Sequence, residues 1–168
     1  MMAQVAPQVR QTQFSEVDLS QVSWHDNAVH AFAFEPEPSS GTLMLDIDHI
    51  VQWIKPVGGA EAYSFWICPA TLVLPDAFDL KLNVDPIGYD LAIVDCDVDG
   101  PDDRGIYTWG LVGNYFELRL RSTGFRQYLR RPPTNSTRQR LAVAERGGIS
   151  FDCRTFDADV VQELTWDQ

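Results

Sequence analysis

All three histidines of the chain, His25, His30 and His49, fall within one 25-residue stretch, beside Asp26, Asp46 and Asp48. Imidazole with carboxylate is a donor set for zinc, iron or copper, and equally for a general base held by its acid partner. If Phe32 pairs with Leu45 in a hairpin, Ala28 lies opposite His49, and Asp26 and His30 flank that pair on the same face. Asp26, His30 and His49 are then the candidate metal ligands, and a metal-dependent enzyme built on them is one expectation. Equally, a histidine at the edge of the core could bond Asp26 and fix how the chain enters its first strand. A register slip of one residue would separate the groups.

A second constellation is Asp95-Cys96-Asp97-Val98-Asp99-Gly100, which matches the first half of a calcium loop. There, alternate carboxylates (Asp95, Asp97, Asp99) converge on the ion and a glycine permits the sharp turn. Pro101 could offer its carbonyl, and Asp103 stands at the ninth position. The twelfth position, where a bidentate glutamate belongs, is Ile106, and no helical pattern flanks the run. The competing expectation is a hydrated acidic loop over residues 95–103, with Asp97, Asp99, Asp102 and Asp103 as partner-binding carboxylates. Such carboxylates raise the thiol pKa of Cys96, the wrong direction for a nucleophile. Cys68 sits in an apolar run and reads as core. Arg119, Arg121, Arg126, Arg130 and Arg131 form a basic cluster able to clamp a phosphate or carboxylate, or to pair with acidic neighbours in the chain. The sequence contains no Gly-x-Ser-x-Gly elbow, Walker loop or dinucleotide fingerprint.

The charge is distributed unevenly. Residues 35–103 hold 14 acidic groups against two basic ones, whereas residues 117–146 hold eight arginines against Glu117 and Glu145. A net charge of −11 opposes general binding to nucleic acid. Two expectations follow: opposite surfaces that attract each other inside the fold, or an acidic face offered to a basic partner. Three cysteines without metal-ligand spacing suit reduced thiols. Residues 1–13 carry one basic residue, Arg10, and no signal-peptide pattern, and no run is apolar enough for a membrane span. A bacterial-type cytoplasm is the expected compartment, with no membrane partner and no cofactor. Self-association stays open.

These residues need elements to position them, and the pattern is mostly strand. Residues 42–54 place Leu43, Leu45, Ile47, His49, Val51 and Trp53 on one face and Asp46, Asp48 and Gln52 on the other. Together with residues 27–34 they predict a hairpin across the turn-rich stretch 35–41. Further strands are expected at 63–68, 71–74 after a kink at Pro69-Ala70, 80–84, 89–94, 106–112, 115–121 and 149–153. Gly113-Asn114 predicts a tight hairpin turn with positive φ. Phe125, Tyr128 and Leu129 share one side of a helical turn within 125–131, and 139–145 is a second short helix. Short strands at 8–12-residue spacing predict a mainly β fold, an antiparallel sandwich or barrel-like sheet with one or two short helices. Residues 1–13 read as a flexible segment before a single domain over 14–168.

Four stretches together, Trp24-His25-Asp26, Leu45-Asp46-Ile47-Asp48 with Trp53, Pro69-Ala70-Thr71-Leu72-Val73, and Gly124-Phe125 through Arg130-Arg131-Pro132-Pro133, resemble a family of small uncharacterised bacterial β-rich proteins. The first of them also resembles the opening strand of β-rich immunity proteins that neutralise bacterial toxins. Neither resemblance implies a known activity or assigns a functional residue. The leading expectation is a binding protein rather than an enzyme, of immunity type, presenting its acidic face to a basic partner. The rival is the metal-dependent enzyme on Asp26, His30 and His49.

Overall fold

The computed structural model describes residues 5–35, 41–58, 62–85 and 90–157. Its elements are β1 (Gln13–Ser15), a 3-10 turn (Glu16–Asp18), β2 (Ala28–Phe34), β3 (Leu43–Ile54), β4 (Ser64–Leu74), β5 (Phe78–Val84), β6 (Ile93–Asp99), β7 (Tyr107–Gly113), β8 (Phe116–Ser122), β9 (Arg126–Leu129), β10 (Thr134–Ser136) and α1 (Val143–Arg146). The expected mainly β, antiparallel fold is what forms. One sheet runs β1-β9-β4-β3-β2, with β10 also on β4, and the second runs β5-β8-β7-β6. Among the described residues no helix is long and apolar enough to cross a membrane.

The two sheets pack their apolar faces together. Leu43, Leu45 and Ile47 from β3, Leu72 and Leu74 from β4, Trp109 and Leu111 from β7, and Leu118 and Leu120 from β8 fill the space between them. Period-two alternation explains which side chains point there. Trp24, Trp109 and Phe125 meet edge-on, with centroids 5.1–5.8 Å apart. Trp24 Nε1 donates to Gln127 Oε1 at 2.7 Å, so the largest rings lock the sheets at one point.

The outer faces of the two sheets differ. Ile50, Phe65 and Ile67 on the first sheet pack with Leu141, so the C-terminal segment covers that sheet. The first sheet is therefore buried on both faces, and β3 has a run of six consecutive buried residues from Leu45 to Ile50. The outer face of the second sheet is open, with Asp95, Asp97, Asp99, Glu117 and Arg119 exposed.

Several local expectations are corrected. The hairpin does pair Phe32 with Leu45, but a bulge between Val29 and Ala31 puts Ala28 opposite Asp48 rather than His49. Ser64–Leu74 is one continuous strand, where two strands separated at Pro69-Ala70 were expected. Pro69 is tolerated inside it because its missing N–H faces the gap between β9 and β10, where only its carbonyl is used, accepting from Arg130 N–H at 2.8 Å. The stretch 125–131 holds strand β9 instead of a helical turn, and 149–153 is not a strand. The expected acidic loop at 95–103 is strand as far as Asp99, and the sixth strand begins at Ile93; Tyr89, where that strand was placed, lies outside the described residues. The second short helix is α1, at the end of the predicted 139–145 span. Gly113 does sit at the β7–β8 turn, but neither it nor Asn114 has a positive φ. Glycine is needed there for space: an added Cβ would strike the Phe116 ring and approach the Ala92 carbonyl oxygen to 2.7 Å.

Candidate functional sites

Asp46 and Asp48, which alternation places on the face away from the apolar one, are fully buried. Strand alternation correctly sends them to the outer face of the first sheet, and the C-terminal segment then closes over them. Arg146, also buried, donates through Nη1 and Nη2 to the two Asp46 oxygens at 2.6 Å each and through Nε to Asp48 Oδ1 at 3.0 Å. Arg130 Nη2 adds a further 2.6 Å bond to Asp46 Oδ1. Backbone N–H groups complete the shell, Ser150 to Asp46 at 3.0 Å and Leu141 to Asp48 at 2.8 Å. Arg146 reaches back because α1 ends at once after it: Gly147 takes the left-handed conformation (φ 78°), and the Gly148 carbonyl then accepts from Arg146 Nη1 at 2.8 Å. Burial works to raise the carboxyl pKa of Asp46, but the bonds and charges of Arg146 and Arg130 outweigh it and hold the group below the ordinary value. Asp48 behaves likewise, with His30, Leu141 N–H and Arg146 outweighing its burial. Two carboxylates facing two guanidiniums make a balanced, fully bonded ion group.

His30 completes this group. Its Nε2 lies 2.8 Å from Asp48 Oδ2, and its Nδ1 lies 3.2 Å from Arg140 Nη2. An arginine only donates, so Nδ1 must accept and the proton sits on Nε2, directed at Asp48. The arrangement resembles a base oriented by a carboxylate, but the imidazole side chain is only 2% exposed and both its nitrogens are occupied within the chain. It holds the fold.

The other two members of the predicted metal set lie elsewhere. His49 is on the inner side of β3, where its Nδ1 accepts from Asn27 Nδ2 at 2.9 Å and its ring leans on Phe14. Burial pushes its pKa down to about 4. Asp26 accepts from Gln139 Nε2 at 3.0 Å and pairs with His25 at 3.0 Å. The bulge at His30 thus directs His30 and His49 to opposite faces of the sheet, and the three groups do not converge. Among the described residues no group of three or more His, Cys, Asp or Glu is placed to hold a metal.

Asp95, Asp97 and Asp99 stand in a row on the solvent face of β6, all exposed. An extended strand spaces alternate residues by about 6.8 Å, too far for side chains of one row to converge on an ion at calcium's bond lengths, about 2.4 Å. Cys96 and Val98 point the other way, against the core. Burial, aided by Asp95 and Asp97, pushes the Cys96 thiol up to about 12. Cys68 is likewise raised to about 12 by burial. Asp102 is committed within the chain: it accepts from Arg104 and Ile106 N–H and pairs with Arg121 at 3.0 Å. Asp103 is exposed.

The predicted basic cluster is dispersed. Arg119 pairs with Glu117 at 2.7 Å, Arg121 pairs with Asp102 and lies 5.0 Å over the Phe78 ring, and both belong to the second sheet. Arg130 is buried on Asp46, Arg131 donates to the Glu145 carbonyl at 3.4 Å, and Arg126 is exposed at the start of β9. Sequence reasoning missed Arg146 and Arg140. The available signal was Asp46-Ile47-Asp48 itself, two charges on the longest strand amid apolar neighbours, which invites a buried counter-charge.

Among the open depressions of the described residues, two border the groups discussed above. A cleft of about 800 Å³ lies between the C-terminal segment and the first sheet, with Trp53, Tyr63 and Phe65 on one side and Asp26, Asp90 and Arg140 on the other. A trough of about 660 Å³ crosses the open face of the second sheet, with Asp97 and Asp99 along one side and Lys81, Arg119 and Arg121 along the other. Compared with known proteins, the chain matches no family model, no curated protein and no solved structure.

Proposed function

We propose that the protein is a binding protein whose working surface is the open face of the second sheet, and that it receives a basic partner there. The observation that carries this reading is the row Asp95, Asp97 and Asp99 on β6. All three are exposed, and none forms an ion pair among the described residues, whereas Asp46, Asp48 and Asp102 are paired internally. Uncompensated charges of one sign attract a partner of the other sign and mainly accelerate its encounter. A basic toxin met by an immunity-type inhibitor is one case of such a pairing.

The test uses a fluorescent lysine-rich peptide as the basic probe, titrated with the wild type and with the triple variant Asp95→Asn, Asp97→Asn, Asp99→Asn. Three exposed ion pairs at about 0.5 kcal/mol each amount to a loss of roughly tenfold in affinity at low salt. The difference should shrink as salt rises, because exposed charges are screened beyond about 8 Å at physiological ionic strength. Equal binding by both proteins at low salt would refute the assignment of this face.

A further inference from the structure

Gly110 occupies the middle of β7, where glycine weakens a strand. Its φ is not in the left-handed region, so the backbone does not call for it. Nor does packing, since an added Cβ would meet only Asp97 Cβ at 4.0 Å, an ordinary contact. Gly113, in contrast, has no room for a side chain. A mid-strand glycine that neither conformation nor packing requires is a place where another chain can approach the backbone closely.

What surrounds Gly110 tells which chain. The register places it between Asp97 on one side and Arg119 on the other, with Lys81 opposite Arg119. One row across the sheet therefore reads Lys81, Arg119, Gly110, Asp97. Two cations directly opposite each other disfavour strand pairing. Lys81 forms no ion pair among the described residues, and the Arg119–Glu117 pair is well exposed. The next row reads Arg121, Thr108, Asp99. The trough thus has a negative side at Asp97 and Asp99 and, two strand spacings or about 10 Å away, a side of mixed charge where Glu117 and Asp79 pair with the arginines and Lys81 is left over, with a floor bare of side chain at Gly110 between them.

We propose that this trough receives an extended segment of the partner protein, which crosses β7 with its main chain over Gly110. The segment directs a basic residue to Asp97 and Asp99 and, about three positions away, an acidic residue to Arg119 and Lys81. Three residues in the extended polyproline II form span about 9 Å and bring positions i and i+3 to the same side, which matches the separation of the two sides. This rests on the reading of the open face as a basic partner's site and adds the charge pattern that the partner must carry.

Three capped peptides of equal length serve as probes, with two glycines separating Lys from Asp, Lys from Lys, or Asp from Asp. Binding is followed by amide NMR shifts in the wild type, Gly110→Val, Gly110→Ala and Arg119→Gln. The Lys–Asp peptide should bind at least fivefold more tightly than the other two and shift the amides of Gly110, Thr108, Asp97 and Arg119. Gly110→Val should keep or raise the melting temperature while losing at least tenfold in affinity for that peptide. Gly110→Ala, the smallest addition, should lose less, and it stands in if the valine variant fails to fold. Arg119→Gln should reduce the Lys–Asp peptide to the level of the Lys–Lys peptide. If the Lys–Lys peptide binds as tightly and neither Gly110 variant matters, the trough is refuted while the acidic face survives. If no lysine peptide binds at low salt, both fail.

Discussion

Replacing Asp46 by asparagine separates what strand alternation alone suggests from what the folded chain does. A water-facing Asp46 would make the change nearly neutral, below about 1 kcal/mol. In the structure, Asp46 accepts two bonds on each oxygen, from Arg130 and Arg146 on Oδ1 and from Arg146 and Ser150 N–H on Oδ2. An amide keeps one acceptor and turns an NH₂ toward two donors, whichever way it is flipped. It also leaves two buried guanidiniums facing Asp48 alone. Breaking a buried pair from one side costs about 3–5 kcal/mol. For a chain of this size that is a fall of roughly 6–20 °C in melting temperature.

Urea unfolding followed by tryptophan fluorescence measures the loss, with Asp152→Asn as the control. Asp152 pairs with Arg154 at 3.2 Å on the surface, and its removal should cost less than about 1 kcal/mol. The Asp46 effect should also persist at high salt, because buried pairs are screened little. The folded-state pKa of Asp46 is depressed, so its contribution is complete above the unfolded value near 3.9 and is lost as pH falls through the folded one. A midpoint for Asp46→Asn within about 1 kcal/mol of wild type would refute the reasoning and unseat the C-terminal segment from the first sheet.

His49 carries a second pH dependence of the same sign. Its folded pKa is about 4 against about 6.5 unfolded, so stability is complete above 6.5 and falls by roughly 3 kcal/mol toward pH 4.5. His49→Gln should flatten the difference between urea midpoints at pH 7 and pH 4.5, and equal slopes in both proteins would remove the assignment. For calcium, the linear spacing of Asp95, Asp97 and Asp99 implies affinity no tighter than about millimolar. Micromolar binding by calorimetry, abolished in Asp97→Ala, would overturn it.

The fold class was legible because alternation is a strong signal wherever one face meets the core, as in β3 and β8. Failures came where something distant in sequence intervened. Inward positions of the 125–129 stretch are Phe125, Gln127 and Leu129, a period of two that the polar Gln127 disguised. Gln127 is tolerated there because Trp24, 103 residues away, bonds it. The run from Asp95 to Asp99 also alternated, with Cys96 and Val98 inward, but its resemblance to a calcium loop obscured the strand. The metal site failed on a single bulge at His30, which no local propensity announces.

Alternation assigns a residue to a face without saying what lies over that face, and this distinction decides where the chain can act. On the first sheet the arginines of the C-terminal half neutralise the aspartates of β3, and the two charge-biased halves of the sequence meet there. That is the intrachain attraction, and it consumes Asp46 and Asp48 along with His30. On the second sheet, among the described residues, the same attraction pairs Arg121 with Asp102 and Asp79. Asp97 and Asp99 form no ion pair among the described residues, while Arg119, across Gly110, is paired with Glu117 on its own strand. Under the proposed reading, a partner segment carrying both signs would meet Asp97 and Asp99 with its cation and compete with Glu117 for Arg119 with its anion, on the open sheet rather than on the histidine-rich hairpin.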